Sequence, residues 1–479
     1  MFRDVDAYDE LFSDPALKTF VHFLERRTNA TMVVDSKQVP FGKKSLIDAS
    51  RIATLMTRAG VIDGYAPFVA REDEPRTYSW VASYVHNTHS GKRKVGSGMS
   101  IENDKDALYA ALAESLERHV WMNAFDYYDS PLTASASEMS QYDCIPPDKF
   151  VGLTHEQRGQ FDAINISPGD KRLWLRAHSW INHKSCYIPA EMTSPAFRKH
   201  PLSVNLAQSI IRPAISTGLA TYPTRIGALL RGALEVIERD AYMVMWLNQL
   251  TLPQIKINEL RRDNLHLDTF LCSCERYQFK PHAIQLISDA PTNIVCVILE
   301  DMRTDMPRFT IGLKAHPSLT CAFIGGLLEA LRAREQVRRQ PKDNIIEIQQ
   351  KPISSIKSGE RIAYWADKER SRKLEFMLRG NMREPTYGPW ERDSEEEHWG
   401  RIVAWAKAKR YELLSVSLTK SSYNPTRWHI ENVLIPQMQP MHQLEQYPFL
   451  GGDRLAAIPS QAGYTARETP FADAPHPFA

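Results

Sequence analysis

The feature that most constrains the fold is a charged motif, Glu-x-x-Glu-Arg, which occurs twice inside strongly apolar helical segments. The first copy lies in ALYAALAESLERHVWM, at 107–122, and the second in ALLRGALEVIERDAYMVMW, at 228–246. Residues at i, i+3 and i+4 share one face of a helix, so each copy projects two carboxylates and a guanidinium from the same side. Buried carboxylates are costly unless they are protonated, paired with arginine or bound to a metal. The fold must therefore provide such an environment twice.

A Ser-Gly or Thr-Gly turn precedes both motifs at nearly the same distance. Gly98 lies 16 residues before Glu114, and Gly218 lies 17 residues before Glu235. This match indicates two copies of one structural device, whose faces together would supply four carboxylates. Hard oxygen ligands of this kind suit Mg²⁺, which completes its shell with water and nucleotide phosphate. The predicted metal ligands are Glu114, Glu117, Glu235 and Glu238. The alternative interpretation of each motif is a solvated, salt-bridged helix face.

Composition argues against several classes of protein. The 59 Lys and Arg residues against 57 Asp and Glu give a net charge of +2, which does not predict nucleic-acid binding. No stretch approaches the ~18 apolar residues of a membrane span, and the acidic N-terminus does not resemble a signal peptide. The six cysteines are dispersed, without a second pair to complete a zinc site, which favours reduced thiols. We expect a cytoplasmic protein without a membrane partner.

The order of the predicted elements indicates an α+β fold in which mixed β-sheets pack with helices. Strands are predicted at YSWVASYVH, RLWLRAHSW, KSCYIPAEM, PHAIQLIS, NIVCVILED and RFTIGLKA. Besides the helix of the second motif, helices are predicted at 104–127 and 318–339. The glycine-containing VGSGMS, at 95–100, is predicted to form a loop.

Composition along the chain predicts three regions. The first is a small N-terminal lobe at 1–74. The second is a main domain at 75–465, with a charged surface insertion of helices at about 340–400. The third is a proline-rich tail at 466–479.

The ordered combination of motifs resembles the YcaO family. The resemblance is carried by ALAESLER at 111–118, STGLA at 216–220, ALLRGALEVIERDA at 228–241, LLEALRAR at 327–334 and the terminal PHPFA. It implies an ATP-dependent enzyme with a YcaO-like fold, in which the repeated helix pair forms a site for ATP and Mg²⁺. The family's cyclodehydratases act on a ribosomally made precursor peptide. They phosphorylate a backbone amide oxygen, a poor leaving group, and convert Cys, Ser or Thr to thiazoline or oxazoline.

The resemblance also assigns roles by position. The two glutamate pairs would hold metal and nucleotide. Residues implied in catalysis are Glu117, Glu238, Arg239 and Ala479 through its terminal carboxylate. Residues implied in nucleotide binding are Gly96, Ser97, Gly98, Arg118, Arg239 and Arg334. The chain departs from the family pattern at Ala110, Pro223, Gly227 and Arg332. Gly227 stands where the resemblance predicts a carboxylate, and Arg332 stands where it predicts a glutamine.

The resemblance favours the catalytic subunit of an azoline-forming synthetase. No leader-binding or E1-like region is evident before residue 75, so we expect a separate E1-like partner protein that binds the leader of the precursor peptide. A dehydrogenase partner and a homodimer remain open. Two alternatives also remain: a YcaO enzyme that forms thioamides or amidines, and a non-catalytic scaffold subunit, which the departures motivate.

Overall fold

The computed structural model describes residues 44–85, 93–123, 130–161, 164, 166–167, 169–203, 206, 210–262, 264–304, 306–419 and 426–478. The α-helices in these ranges are α1 (Lys44–Arg58), α2 (Asp104–Asn123), α3 (His155–Gly159), α4 (Arg225–Asn248), α5 (Ile257–Arg261), α6 (Leu265–Arg276), α7 (Leu319–Arg338), α8 (Lys342–Gln350), α9 (Arg361–Trp365), α10 (Lys368–Arg372), α11 (Glu395–Lys409) and α12 (Arg454–Gln461). None of the helices in the described ranges is both long enough and apolar enough to span a lipid bilayer.

The strands in the described ranges form three sheets, which confirms the predicted α+β class. They are β1 (Gly64–Pro67), β2 (Tyr78–Val85), β3 (Arg93–Ser100), β4 (Leu132–Ser135), β5 (Lys171–Ser179), β6 (Lys184–Pro189), β7 (Leu219–Tyr222), β8 (Gln254–Ile255), β9 (Phe279–Gln285), β10 (Asn293–Asp301), β11 (Phe309–His316), β12 (Met382–Arg383), β13 (Leu414–Ser417) and β14 (His429–Leu434). The first sheet has the order β1-β2-β3 and the second β11-β10-β9-β8-β12. The third has the order β4-β5-β13-β14-β7, with β6 paired to β5.

Three strand–helix units organise the molecule: β3 with α2, β7 with α4, and β11 with α7. Helix α2 packs on β3, α7 packs on β11, and α4 packs against both β14 and β11. Two of these contacts require glycine in the strand. A Cβ atom on Gly98 would lie 2.0 Å from the carbonyl oxygen of Ala107, and one on Gly312 would lie 2.0 Å from that of Gly326. The absence of a side chain lets each helix lie directly on its strand.

Helix α4 is the central helix of the largest hydrophobic cluster. It begins where the Thr224 hydroxyl accepts a hydrogen bond from the Gly227 N–H, and it ends at Gln249, whose φ of 52° is left-handed. Nearly all its residues after Gly227 are buried, including the charged Glu238 and Asp240. The burial of these two carboxylates shows that α4 is not a solvated, salt-bridged helix.

The structure confirms the predicted strands and helices but corrects the loop predicted at 95–100. These residues belong to β3, which pairs antiparallel with β2 from Tyr78↔Ser100 to Val85↔Arg93. The glycines that suggested a turn instead permit close packing of α2. Helix α2 extends to Asn123, and the rest of the helix predicted to reach 127 lies outside the described residues.

The segment predicted as a surface insertion is partly internal, so this part of the prediction is wrong. Ile348 and Trp365 belong to the same hydrophobic cluster as α4, and Arg361 is fully buried. Strand β12 pairs with β8 and extends the second sheet. The predicted domain limits stay predictions, although β1, which precedes residue 75, pairs with β2, which follows it.

Candidate active site

One glutamate on each of the helices α2, α4 and α7 accepts a hydrogen bond from a backbone N–H. This N–H belongs to the strand that precedes the helix or to the turn before that strand. Glu114 accepts the Ser97 N–H at 2.7 Å, and Glu235 accepts the Gly218 N–H at 3.0 Å. Glu329 accepts the Leu313 N–H at 2.8 Å. The donor lies 17, 17 and 16 residues before its acceptor, so the device predicted to occur twice occurs three times.

Three residues further along each helix, the second motif position carries Glu117, Glu238 and Arg332. Glu238 accepts the Ala315 N–H at 2.7 Å, and its side chain is only 5% exposed. This bond joins α4 to β11, the strand that leads into α7. The hydrogen bond therefore fixes the Glu238 carboxylate beside the third strand–helix unit.

Each complete motif keeps its arginine beside its own glutamates. Arg118 lies 3.8 Å from Glu117. Arg239 lies 3.5 Å from Glu235 and 3.6 Å from Glu238, and the buried Nη1 atom of Arg239 has no hydrogen-bond partner. A buried guanidinium nitrogen without an acceptor is a candidate contact for an anionic ligand such as phosphate.

The glutamates of α2 and α4 lie close enough to influence one another's ionisation. Burial raises the pKa of Glu117 to about 8, Arg118 opposes this rise, and the carboxylates of Glu235 and Glu114 add to it. Burial likewise raises the pKa of Glu238, against the opposing effect of Arg239. The site therefore holds carboxylates whose ionisation would be favoured by an added cation.

The acidic face of α4 borders an open cleft of about 430 Å³. Glu235 and Glu238 line one side of this cleft, and Lys314 and His316 of β11 line another. Residues just before and at the start of α11, including Asp393 and Glu395, also line it. The cleft contains both carboxylates and basic groups, and a cleft of this size is within the range of small-ligand sites.

Sequence reasoning missed Glu329 and Lys314. Glu329 lies in LLEALRAR, where the sequence analysis assigns a role to Arg334 and a departure from the family pattern to Arg332 but nothing to Glu329. The signal was present in the spacing, because RFTIGLKA followed by LLEALRAR repeats the order of strand, helix and glutamate. The third copy was harder to recognise because Arg332 replaces the second glutamate.

Asp240, which directly follows the second motif in α4, belongs to a structural ion pair. Its two carboxylate oxygens accept hydrogen bonds from Arg454 at 2.7 Å each, and one also accepts the Gln439 N–H. Asp240 and Arg454 are both buried. They attach α12 and the segment around residue 439 to α4.

Two parts of the predicted nucleotide site need correction. Gly96 and Gly98 lie in a strand covered by α2 and not in an open glycine turn, although Ser97 still contributes its N–H to Glu114. Arg334 is buried and donates hydrogen bonds to Asp301 and to Glu74, with a distance of 2.6 Å from its Nη2 to Asp301. Because both acceptors already occupy its guanidinium, these contacts do not support a phosphate-binding role for Arg334.

The C-terminal segment reaches the arginine of the second motif. The guanidinium carbon of Arg239 lies 4.1 Å from the ring centroid of Phe478. The Pro475 carbonyl oxygen accepts a hydrogen bond from the Trp365 indole N–H, and His476 is fully buried. Ala479, whose carboxylate was predicted to act in catalysis, lies outside the described residues.

The residues at this site fit Mg²⁺ together with a nucleotide. Carboxylate oxygens are the ligands that Mg²⁺ prefers, and it normally retains waters and phosphate oxygens as well. Glu117, Glu235 and Glu238 would hold the ion, and the free Nη1 donor of Arg239 would contact phosphate. The raised pKa values of Glu117 and Glu238 agree with this assignment, since both carboxylates gain most from a bound cation.

Comparisons with known proteins agree with the site's chemistry. Residues 96–439 match a family model described as YcaO cyclodehydratase, binding ATP and Mg²⁺. No curated protein matches the sequence.

Solved structures show the same fold at low sequence identity. A heterocyclase in complex with substrate and cofactor has a TM-score of 0.67 and 15% identity, over 90% of this chain and 57% of that one. The YcaO protein of Methanopyrus kandleri, bound with AMPPCP and Mg²⁺, has a TM-score of 0.54 and 17% identity, over 82% and 91%. The E. coli microcin synthetase McbBCD with pro-MccB17 bound has a TM-score of 0.52 and 12% identity, over 78% of this chain and 88% of that one. The chain thus spans little more than half the length of the first of these structures.

Proposed function

We propose, since this chain belongs to the YcaO cyclodehydratase family, that it is an ATP-dependent cyclodehydratase acting on the backbone of a precursor peptide. The side chain of a Cys, Ser or Thr residue adds to the preceding amide carbonyl. The resulting oxygen attacks the γ-phosphorus of ATP, ADP leaves, and the phosphorylated oxygen then departs as phosphate. The product is a thiazoline or an oxazoline, and the net change in the peptide is the loss of one water per ring.

The observation that carries this proposal is the meeting of acidic faces from α2 and α4 beside an unpartnered arginine donor. Mg²⁺ bound there would neutralise negative charge on the phosphates as the phosphoryl group is transferred. The chain's own residues have the remaining tasks. Glu235 and Glu238 are held in place by the N–H groups of Gly218 and Ala315, and the unpartnered Nη1 of Arg239 would donate to a phosphate oxygen.

A partner protein that binds the leader of the precursor peptide is part of the proposal. The solved microcin synthetase is a complex of several chains with its peptide bound, which supports this arrangement. The six cysteines are all free in the structure, which supports a cytoplasmic location. The same site would also serve thioamide formation, where sulfide supplies the nucleophile, so the product must be measured.

The test is mass spectrometry of a Cys-, Ser- or Thr-rich precursor after incubation with the protein, its partner, ATP and Mg²⁺. Ring closure lowers the mass by about 18 Da per residue, whereas exchange of oxygen for sulfur raises it by about 16 Da. Loss of 18 Da that requires ATP supports the proposal, and a gain of 16 Da replaces it with thioamide formation. Calorimetry that detects no ATP binding, with Mg²⁺ and partner present, would instead identify a scaffold subunit.

A further inference from the structure

The third strand–helix unit places a positive charge where the other two units place a carboxylate. Helices α2 and α4 carry a glutamate three residues after the glutamate that accepts the N–H of the preceding strand or turn. Helix α7 carries Arg332 at this position, three residues after Glu329. Each acceptor glutamate receives a backbone N–H from 16 or 17 residues earlier, so the positions three residues after the acceptors correspond to one another.

The Arg332 side chain extends across to the first unit. Its Nη1 donates a hydrogen bond to the Ser97 hydroxyl at 3.0 Å and lies 3.8 Å from Glu114. Its Nη2 lies 3.5 Å from Glu329. Arg332 therefore pairs with the acceptor glutamates of both α2 and α7.

The acidic cluster is thus divided into two parts. Glu114 and Glu329 have Arg332 as a shared ion-pair partner. Glu117 and Glu238 instead have the arginines of their own motifs as ion-pair partners. The distance is 3.8 Å from Glu117 to Arg118 and 3.6 Å from Glu238 to Arg239.

We propose that Arg332 is a built-in cation of this site that takes the place of one divalent metal ion, so that the chain binds a single Mg²⁺ with each nucleotide. A metal ion held by Glu114 and Glu329 would have to displace or approach a fixed guanidinium, and like charges at such distances repel. The ion held by Glu117, Glu235 and Glu238 would not have to displace Arg332, because Arg332 pairs with Glu114 and Glu329. This inference rests on the proposed nucleotide-dependent function.

The experiment counts metal ions directly. Mn²⁺ is titrated into equal amounts of protein and AMPPCP, and electron paramagnetic resonance of free Mn²⁺ gives the number bound per ternary complex. We expect one Mn²⁺ for the natural protein and for Arg332→Lys, which keeps the charge. We expect two for Arg332→Glu, which restores the second carboxylate, and for Arg332→Gln, which removes the charge and leaves an amide oxygen.

Arg332 is partly exposed, with 41% of its side chain accessible, so these variants should fold. Thermal melting of each variant checks this. Two Mn²⁺ in the natural protein, or one in both Arg332→Glu and Arg332→Gln, would overturn the inference and leave the proposed function intact. Failure of the natural protein to bind AMPPCP at all would overturn the proposed function, and the inference with it.

Discussion

The guanidinium of Arg239 lies over the ring of Phe478, at 4.1 Å from the ring centroid, and also contacts Glu235 and Glu238. The last described residue of the chain therefore packs against the arginine of the acidic site. A cation above an aromatic face is attracted by the ring and is also held in position by it. The C-terminal segment thus helps to determine where Arg239 points.

Phe478→Ala should lower ATP consumption by about tenfold, because a cation–π contact worth about 1.4 kcal/mol corresponds to that factor. Nucleotide affinity should change less, since the glutamates keep their backbone hydrogen bonds. ATPase assays and calorimetry with AMPPCP measure the two effects. Phe478→Tyr, which preserves the ring face, is the control, and equal rates for both variants would show that the ring does not position Arg239.

Glu238→Gln should lower Mg-dependent ATP consumption by about 100-fold or more, as expected for loss of a charged group at a phosphoryl-transfer site. The variant should stay folded, because the amide oxygen of glutamine can still accept the Ala315 N–H. Circular dichroism checks the fold and phosphate release checks the activity. Full ATPase activity would remove Glu238 from the metal site.

Asp240→Asn, two residues after Glu238, should lower the stability of the fold more than the ATP consumption. It removes one of the two carboxylates that pair with the buried Arg454 guanidinium and leaves Asp289 as the other, which costs about 1.5–3 kcal/mol of stability. Glu235→Gln in the same helix should cost under about 1 kcal/mol, because Glu235 is partly exposed and keeps an oxygen for the Gly218 N–H. Urea denaturation compares the two variants, and equal midpoints would contradict a structural role for Asp240.

Acidification should destabilise the C-terminal segment. Burial lowers the pKa of His476 well below its usual 6.5, and Arg361, His442 and Arg239 all disfavour its protonation further. The unfolded chain binds a proton below pH about 6.5 whereas the folded chain does not, so stability is present above that pH and is lost as pH falls.

His476→Gln should therefore lose less stability between pH 7.5 and pH 5.5 than the natural protein does. Urea denaturation at both values gives the comparison. His442, whose pKa burial also lowers, contributes a residual dependence of the same sign. Parallel pH profiles for the two proteins would exclude His476 as a source of acid sensitivity.

Gly98→Ala should separate α2 from β3, since the new Cβ atom would lie 2.0 Å from the Ala107 carbonyl oxygen. We expect a loss of about 1–3 kcal/mol, typical of overpacking, together with weaker Mn²⁺ binding. The control is Gly400→Ala, where a Cβ atom meets nothing within 4 Å and alanine favours the helix. An unchanged melting temperature for Gly98→Ala would contradict the packing role of this glycine.

The sequence by itself determined the class of fold and the two acidic motifs. Helical spacing placed Glu235, Glu238 and Arg239 on one face, and strands such as NIVCVILED and RFTIGLKA appeared where predicted. These features depend on local periodicity, which is set by the covalent geometry of the chain. The family resemblance rested on the same motifs, and the match to the family model agrees with it.

Only the tertiary structure decided which charges act together. It paired Asp240 with Arg454, 214 residues away, and it paired Arg334 with Asp301 and Glu74. Asp240 and Arg334 are therefore not available to a ligand. It also brought Arg332 to Glu114 and turned a predicted glycine loop into a strand beneath a helix. The reason is physical: the fate of a buried charge depends on its neighbours in space, and sequence spacing does not reveal partners that lie far apart along the chain.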